Sequence, residues 1–118
     1  MTTSAPADHD ALAQALRDRV LDGPGESDRA LRQAAAERAA GGLAMEDPYD
    51  ALAQAIGTAS YPVTDAQVAR VVEAAGGEKA AFEIIAAAAV GAGLQRWRQA
   101  VKALTEASDA PPRNRPRR

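Results

Sequence analysis

Residues 80–94 read Ala-Ala-Phe-Glu-Ile-Ile-Ala-Ala-Ala-Ala-Val-Gly-Ala-Gly-Leu, fifteen positions whose single polar side chain is Glu83. A helix that is apolar on every side has to be surrounded, by its own domain or by a partner chain. The stretch therefore sets the centre of the fold and points to an interface. At ~20 residues for a bilayer-spanning helix it is too short to cross a membrane. It is followed directly by Arg96, Arg98 and Lys102.

Working outward, the same helix is expected to run from about residue 78 to about 107. Its second half turns amphipathic, with Leu94, Trp97, Val101 and Leu104 on one side and Arg96, Arg98, Lys102 and Glu106 on the other. Gly91 and Gly93 are expected to bend it. Upstream, Thr64 and Gln67 form a capping box ahead of Val68, Val71, Val72 and Ala75, and Gly76-Gly77 supplies the stop. Asp47-Pro48 reads as an N-cap followed by proline at the first helical position, with Tyr49, Leu52, Ala53 and Ile56 as the buried stripe. A helix over about 27–41 carries Leu31 and alanines inward, with Arg29, Arg32, Glu37 and Arg38 outward. A first helix, capped by Asp8 or Asp10, uses Leu12, Leu16 and Val20 and ends at Asp22-Gly23-Pro24-Gly25.

The expected fold is all-α, a four- to five-helix bundle with the long apolar C-terminal helix at its centre. Residues 1–7 are expected to be a disordered start, 8–109 the helical domain and 110–118 a disordered basic Pro/Arg tail. In 118 residues one domain is natural. Its 47% apolar share is mostly alanine, and the aromatics are Tyr49, Tyr61, Phe82 and Trp97. Alanine buries little area per residue, so the core is thin and oligomerisation is the means of burying more.

Several chemistries are excluded. With no cysteine there is no disulfide, thiolate nucleophile, Cys-based zinc site or iron–sulfur cluster. His9 is the only histidine. It sits at a helix start beside Asp8 and Asp10, which point in different directions, so no metal site and no cofactor are expected. Gly91-Ala92-Gly93 lies inside a helix and lacks the strand that a dinucleotide loop requires. Net charge is −2, and four of the 14 basic residues, Arg113, Arg115, Arg117 and Arg118, lie in the tail. The rest is acidic and a poor partner for nucleic acid, which leaves only the tail to contact phosphate. The first ten residues show no basic segment followed by an apolar stretch, so no signal peptide is expected, and a small cysteine-free domain suits the cytoplasm.

Two sets of residues carry the functional expectations. Ala89 and Gly93, with Gly91 between them, allow close helix approach within a subunit or between subunits, and Trp97 extends the same interface. Glu83, isolated among apolar residues, needs a partner. It is read as an acid, base or ligand, as a structural ion pair with an arginine such as Arg70 or Arg96, or as a first-turn position that water still reaches.

The run Tyr61-Pro62-Val63-Thr64-Asp65, the glycine turn, and a helix opening Phe82-Glu83 and closing Gly91-Ala92-Gly93-Leu94-Gln95-Arg96 resembles small members of the carboxymuconolactone decarboxylase and alkylhydroperoxidase-D-like superfamily. The likeness covers about residues 43–107. It implies an all-α domain that assembles through its helices. The peroxidase branch of that superfamily works through a Cys-x-x-Cys pair and a histidine, which this chain lacks, and no histidine accompanies Glu83 and Arg96 for decarboxylation. The function expected is therefore a non-catalytic helical interaction protein, either a homo-oligomer or the small partner of an enzyme. The alternative is a cofactor-free enzyme or small-molecule binder using Glu83, Arg96 and Tyr61.

Overall fold

A computed structural model of the chain describes residues 6–58 and 62–109. The described residues form five α-helices and no strand: α1 (Pro6–Arg17), α2 (Arg29–Ala39), α3 (Tyr49–Gly57), α4 (Asp65–Ala75) and α5 (Glu78–Asp109). α1 continues into a wider π-helical turn, Asp18–Asp22. The tail from residue 110, Tyr61 and residues 1–5 lie outside the described residues.

Each boundary has a local cause. α4 has both halves of its capping box, with the Gln67 amide N–H donating to Thr64 Oγ1 at 3.1 Å and the Thr64 N–H donating to Gln67 Oε1 at 3.0 Å. It stops at Gly76, whose φ of 91° is open to glycine at no steric cost. Three expected starts shift. α1 begins at Pro6, so Asp8 and Asp10 fall inside the helix rather than capping it, and Pro6 and Ala7 belong to it. α3 begins at Tyr49, with Pro48 in the cap position after a cis Asp47-Pro48 bond. Asp47 still accepts from the Ala51 N–H at 3.3 Å. α2 begins at Arg29, and its cap residue Asp28 offers only its main-chain carbonyl.

α5 packs against every other helix. Its inner face, Ala80, Ala81, Ile84, Ala87, Ala88 and Ala92, is buried. Opposite it lie Ala35 and Ala39 of α2, Tyr49, Leu52 and Ala53 of α3, and Val71 of α4. A second, smaller cluster joins Leu21 to Ala36 and Ala87 beneath the π turn. The alanines let the backbones close up, and among the described residues the large side chains that are fully buried are few, chiefly Leu21, Leu52, Val71 and Ile84. The helix is not enclosed on all sides, however. From residue 102 to 109 every position is exposed. The radius of gyration is 17.9 Å, against about 14 Å for a rounded domain of this length.

Three expectations about side chains are corrected here. Four short, alanine-rich neighbours predict that Ile84, Ile85 and Val90 stay in water, but Ile84 is buried, and Ile85 and Val90 pack against the two clusters. Arg32, expected outside, is only 4% exposed. It turns under the π turn and donates to the Val20 carbonyl at 2.9 Å. Gly93 is exposed and has no neighbouring atom where a Cβ would stand, so it is not the tight internal crossing. That crossing is at Gly91, where a Cβ would overlap the Ala36 carbonyl.

Candidate functional site

Glu83 is fixed by the loop that leads into α2. Its Oε2 accepts from the Glu26 N–H at 3.0 Å, and its Oε1 accepts from the Ser27 N–H at 2.8 Å and the Ser27 hydroxyl at 2.7 Å. Lys79 lies one helical turn away with Nζ 3.9 Å from Oε2. Gly25 makes the approach possible, since a Cβ there would stand 2.7 Å from Oε1. The Ser27 hydroxyl hydrogen bond, then the two main-chain donors, lower the Glu83 pKa to about 2, with Lys79 adding to them. A carboxylate so occupied is a strong acceptor and a poor proton donor or base. The expected ion pair with Arg70 or Arg96 is replaced by a cap-like clamp on the residue 25–27 loop. Nothing local in the sequence announces it, because donor and acceptor are more than fifty positions apart.

Arg96 is elsewhere. It donates from Nη2 to the Gly57 carbonyl at 3.1 Å, satisfying the C-terminal end of α3. Thirteen positions of helix separate it from Glu83, about 20 Å along the axis. The structure does not bring the two together. Around Arg96 lies a polar recess of about 340 Å³ lined by Gln54, Thr58, Gln95, Gln99 and Arg38. Arg38 is itself engaged with Asp50, Nε to Oδ1 2.8 Å, an ion pair by distance rather than an aligned hydrogen bond. Asp50 also accepts from the Met45 N–H at 2.9 Å. This Arg38–Asp50 link between α2 and α3 is one that sequence reasoning missed. A second opening, about 630 Å³, runs between α1, α2 and α5 over Leu21, Ala36, Val90 and Leu94, with Arg17 and Arg98 in its lining.

The outward face of α5 leaves large apolar side chains exposed. Phe82 is 69% exposed, Trp97 40% and Leu104 69%. Ala89, Gly93 and Ala100 are exposed between them. His9 of α1 meets Trp97 edge-on, with ring centroids 6.4 Å apart at 78°. Leu12 and Leu16 share the His9 face of α1 by their i+3 and i+7 spacing and are 67% and 49% exposed. Of the residues expected at an interface, Ala89, Gly93 and Trp97 thus lie together on one solvent-facing stripe.

Burial raises the Tyr49 phenol above its ordinary 10.0, with Glu46 and Asp28 adding to the effect. Among the described residues no cluster of three or more His, Asp or Glu side chains is placed to hold a metal, and no helix is long and apolar enough to cross a membrane. Comparison with protein-family models, with curated proteins and with solved structures gives no match.

Proposed function

We propose that the protein is a non-catalytic helical interaction protein that works as a homo-oligomer, or as the small partner of an enzyme, in the cytoplasm. The observation that carries this reading is the apolar stripe on α5 from Phe82 through Ala89, Gly93 and Trp97 to Leu104, exposed although its first half lies in the apolar 80–94 run. Each large aliphatic or aromatic side chain left in water forgoes about 1.5–3 kcal/mol. Five of them, counting Leu12 and Leu16, are an ample driving force for association. Support against a catalytic role comes from Glu83, whose acceptor positions are taken by the residue 25–27 loop.

The resemblance to the carboxymuconolactone decarboxylase and alkylhydroperoxidase-D-like superfamily belongs to the same reading. It draws on the capped α4, the glycine turn and the Phe82-Glu83 opening of α5. With no thiol in the chain, peroxide turnover with any thiol donor is expected to equal that of a heat-killed control. A second reading, a small-molecule binder, draws on the polar recess at Arg96 alone, without Glu83. The test is the molar mass in solution. Sedimentation equilibrium at micromolar concentration should give a mass at least twice the 12.2 kDa of the chain. Phe82→Lys should lower it without loss of helix. A wild-type monomer would remove the homo-oligomer reading.

A further inference from the structure

The outward stripe of α5 has a regular pattern. Its members are Phe82, Ala86, Ala89, Gly93, Trp97, Ala100 and Leu104, all within one face of a 3.6-residue helix. Their spacing, read outward from Gly93, is the same in both directions: four, three and four residues. Resting on the oligomer reading above, we infer that this face binds a second copy of itself, the two α5 helices running antiparallel about a twofold axis at Gly93.

In that register Phe82 meets Leu104, Ala86 meets Ala100, Ala89 meets Trp97, and Gly93 meets Gly93. A bulky side chain faces a small one beside the axis, and the glycine pair allows the backbones their nearest approach where they cross. No charged residue lies within the stripe; Glu78, Lys79 and Arg96 border it. The antiparallel arrangement brings Arg96 level with Val90 of the second copy and Lys79 level with Ala107. A parallel arrangement would bring Arg96 level with Arg96, Lys79 level with Lys79, and Trp97 against Trp97. It would also align the two helix dipoles, which antiparallel pairing opposes.

The available area suits a second copy. From Phe82 to Leu104 the seam is about 33 Å long. The exposed parts of Phe82, Trp97, Leu104, Leu12 and Leu16 amount to roughly 500 Å² per chain. Two copies would together cover on the order of 1,000 Å², the lower end of a specific interface. His9, on the face of α1 that carries Leu12 and Leu16, meets Trp97 of the seam edge-on.

Because the chain has no cysteine, single cysteines report on the register directly. A Cβ at Gly93 meets nothing in the subunit, so Gly93→Cys is compatible with the fold. On oxidation, Gly93→Cys should form a disulfide-linked dimer at least tenfold faster than Ala89→Cys or Ala100→Cys alone, and a mixture of Ala86→Cys and Ala100→Cys should link to each other. Equal linking by Ala89→Cys and Gly93→Cys would overturn the antiparallel register in favour of a parallel one. No linking at any seam position, in a chain that sediments as a dimer, would overturn the seam while leaving the oligomer reading intact. A chain that sediments as a monomer would overturn both.

Discussion

Gly91 and Gly93 are two residues apart on one helix and have opposite surroundings. A Cβ at Gly91 would overlap the Ala36 carbonyl of α2, whereas one at Gly93 would meet open space. Two positions of helix turn a side chain by about 200°, so the pair samples the inner and outer faces of α5. The inner face is finished: alanines and Ile84 interlock with α2, α3 and α4. The outer face, with Phe82, Trp97 and Leu104, has the same apolar character but stays largely exposed, its Trp97 met edge-on by His9 of α1. The lesson is that the apolar run completes one packing inside the subunit and leaves its other face exposed, the face proposed above to meet a second copy.

The largest expected effect comes from the finished side. Leu52→Ala removes a side chain 1% exposed in the main cluster and should cost about 2–5 kcal/mol in chemical denaturation. Gly91→Ala is next and has a diagnostic sign. Helix propensity alone would stabilise the protein by about 1 kcal/mol, but the Ala36 main chain cannot move aside cheaply. A net loss of about 1–3 kcal/mol is expected, read as a lower Tm. A gain would show that the crossing is looser than described. On the other face, Gly93→Leu should leave the fold of the diluted subunit unchanged while dissociating the oligomer, because its side chain points away from the subunit. Loss of helix in that variant would erase the distinction between the two glycines.

Acid separates a further contrast, between the clamped Glu83 and ordinary surface carboxylates. Its folded pKa, about 2, lies below the ordinary 4.5. The stabilisation is therefore fully present above about pH 4.5 and is lost as pH falls toward 2. Glu83→Gln should flatten the stability curve across that window. An unchanged slope would mean that the loop clamp does not form. The smallest effect is expected where α5 runs free of the bundle. The exposed Lys102–Glu106 pair, 3.8 Å apart, should change stability by less than about 0.5 kcal/mol on Lys102→Ala.

Much of the fold is legible in the sequence because its signals are local. The Thr64–Gln67 box, the Gly76 stop and the i, i+3, i+4, i+7 apolar spacing of α4 each lie inside one turn or one helix. The centrality of the 80–94 run is legible from composition. What is not legible depends on where helices meet. Arg32 looks like a surface residue until the π turn closes over it and offers the Val20 carbonyl. Glu83 suggests an arginine partner, whereas main-chain donors arrive from a loop distant in sequence. The choice between Gly91 and Gly93 as the tight position requires knowing which side of α5 faces α2, and a run apolar all round conceals that direction. Ala89, Gly93 and Trp97 are legible as one stripe because they recur every four residues.

The most direct measurement uses the chain's single tryptophan, which lies on the outward stripe. Trp97 emission should shift to shorter wavelength as the protein is concentrated from nanomolar to tens of micromolar, with a midpoint matching that of the mass transition. Phe82→Lys should displace that midpoint to higher concentration. Emission that stays constant across the whole range, at unchanged helix content, would show that Trp97 keeps its solvent exposure and would contradict the claim that a second subunit covers the outer face of α5.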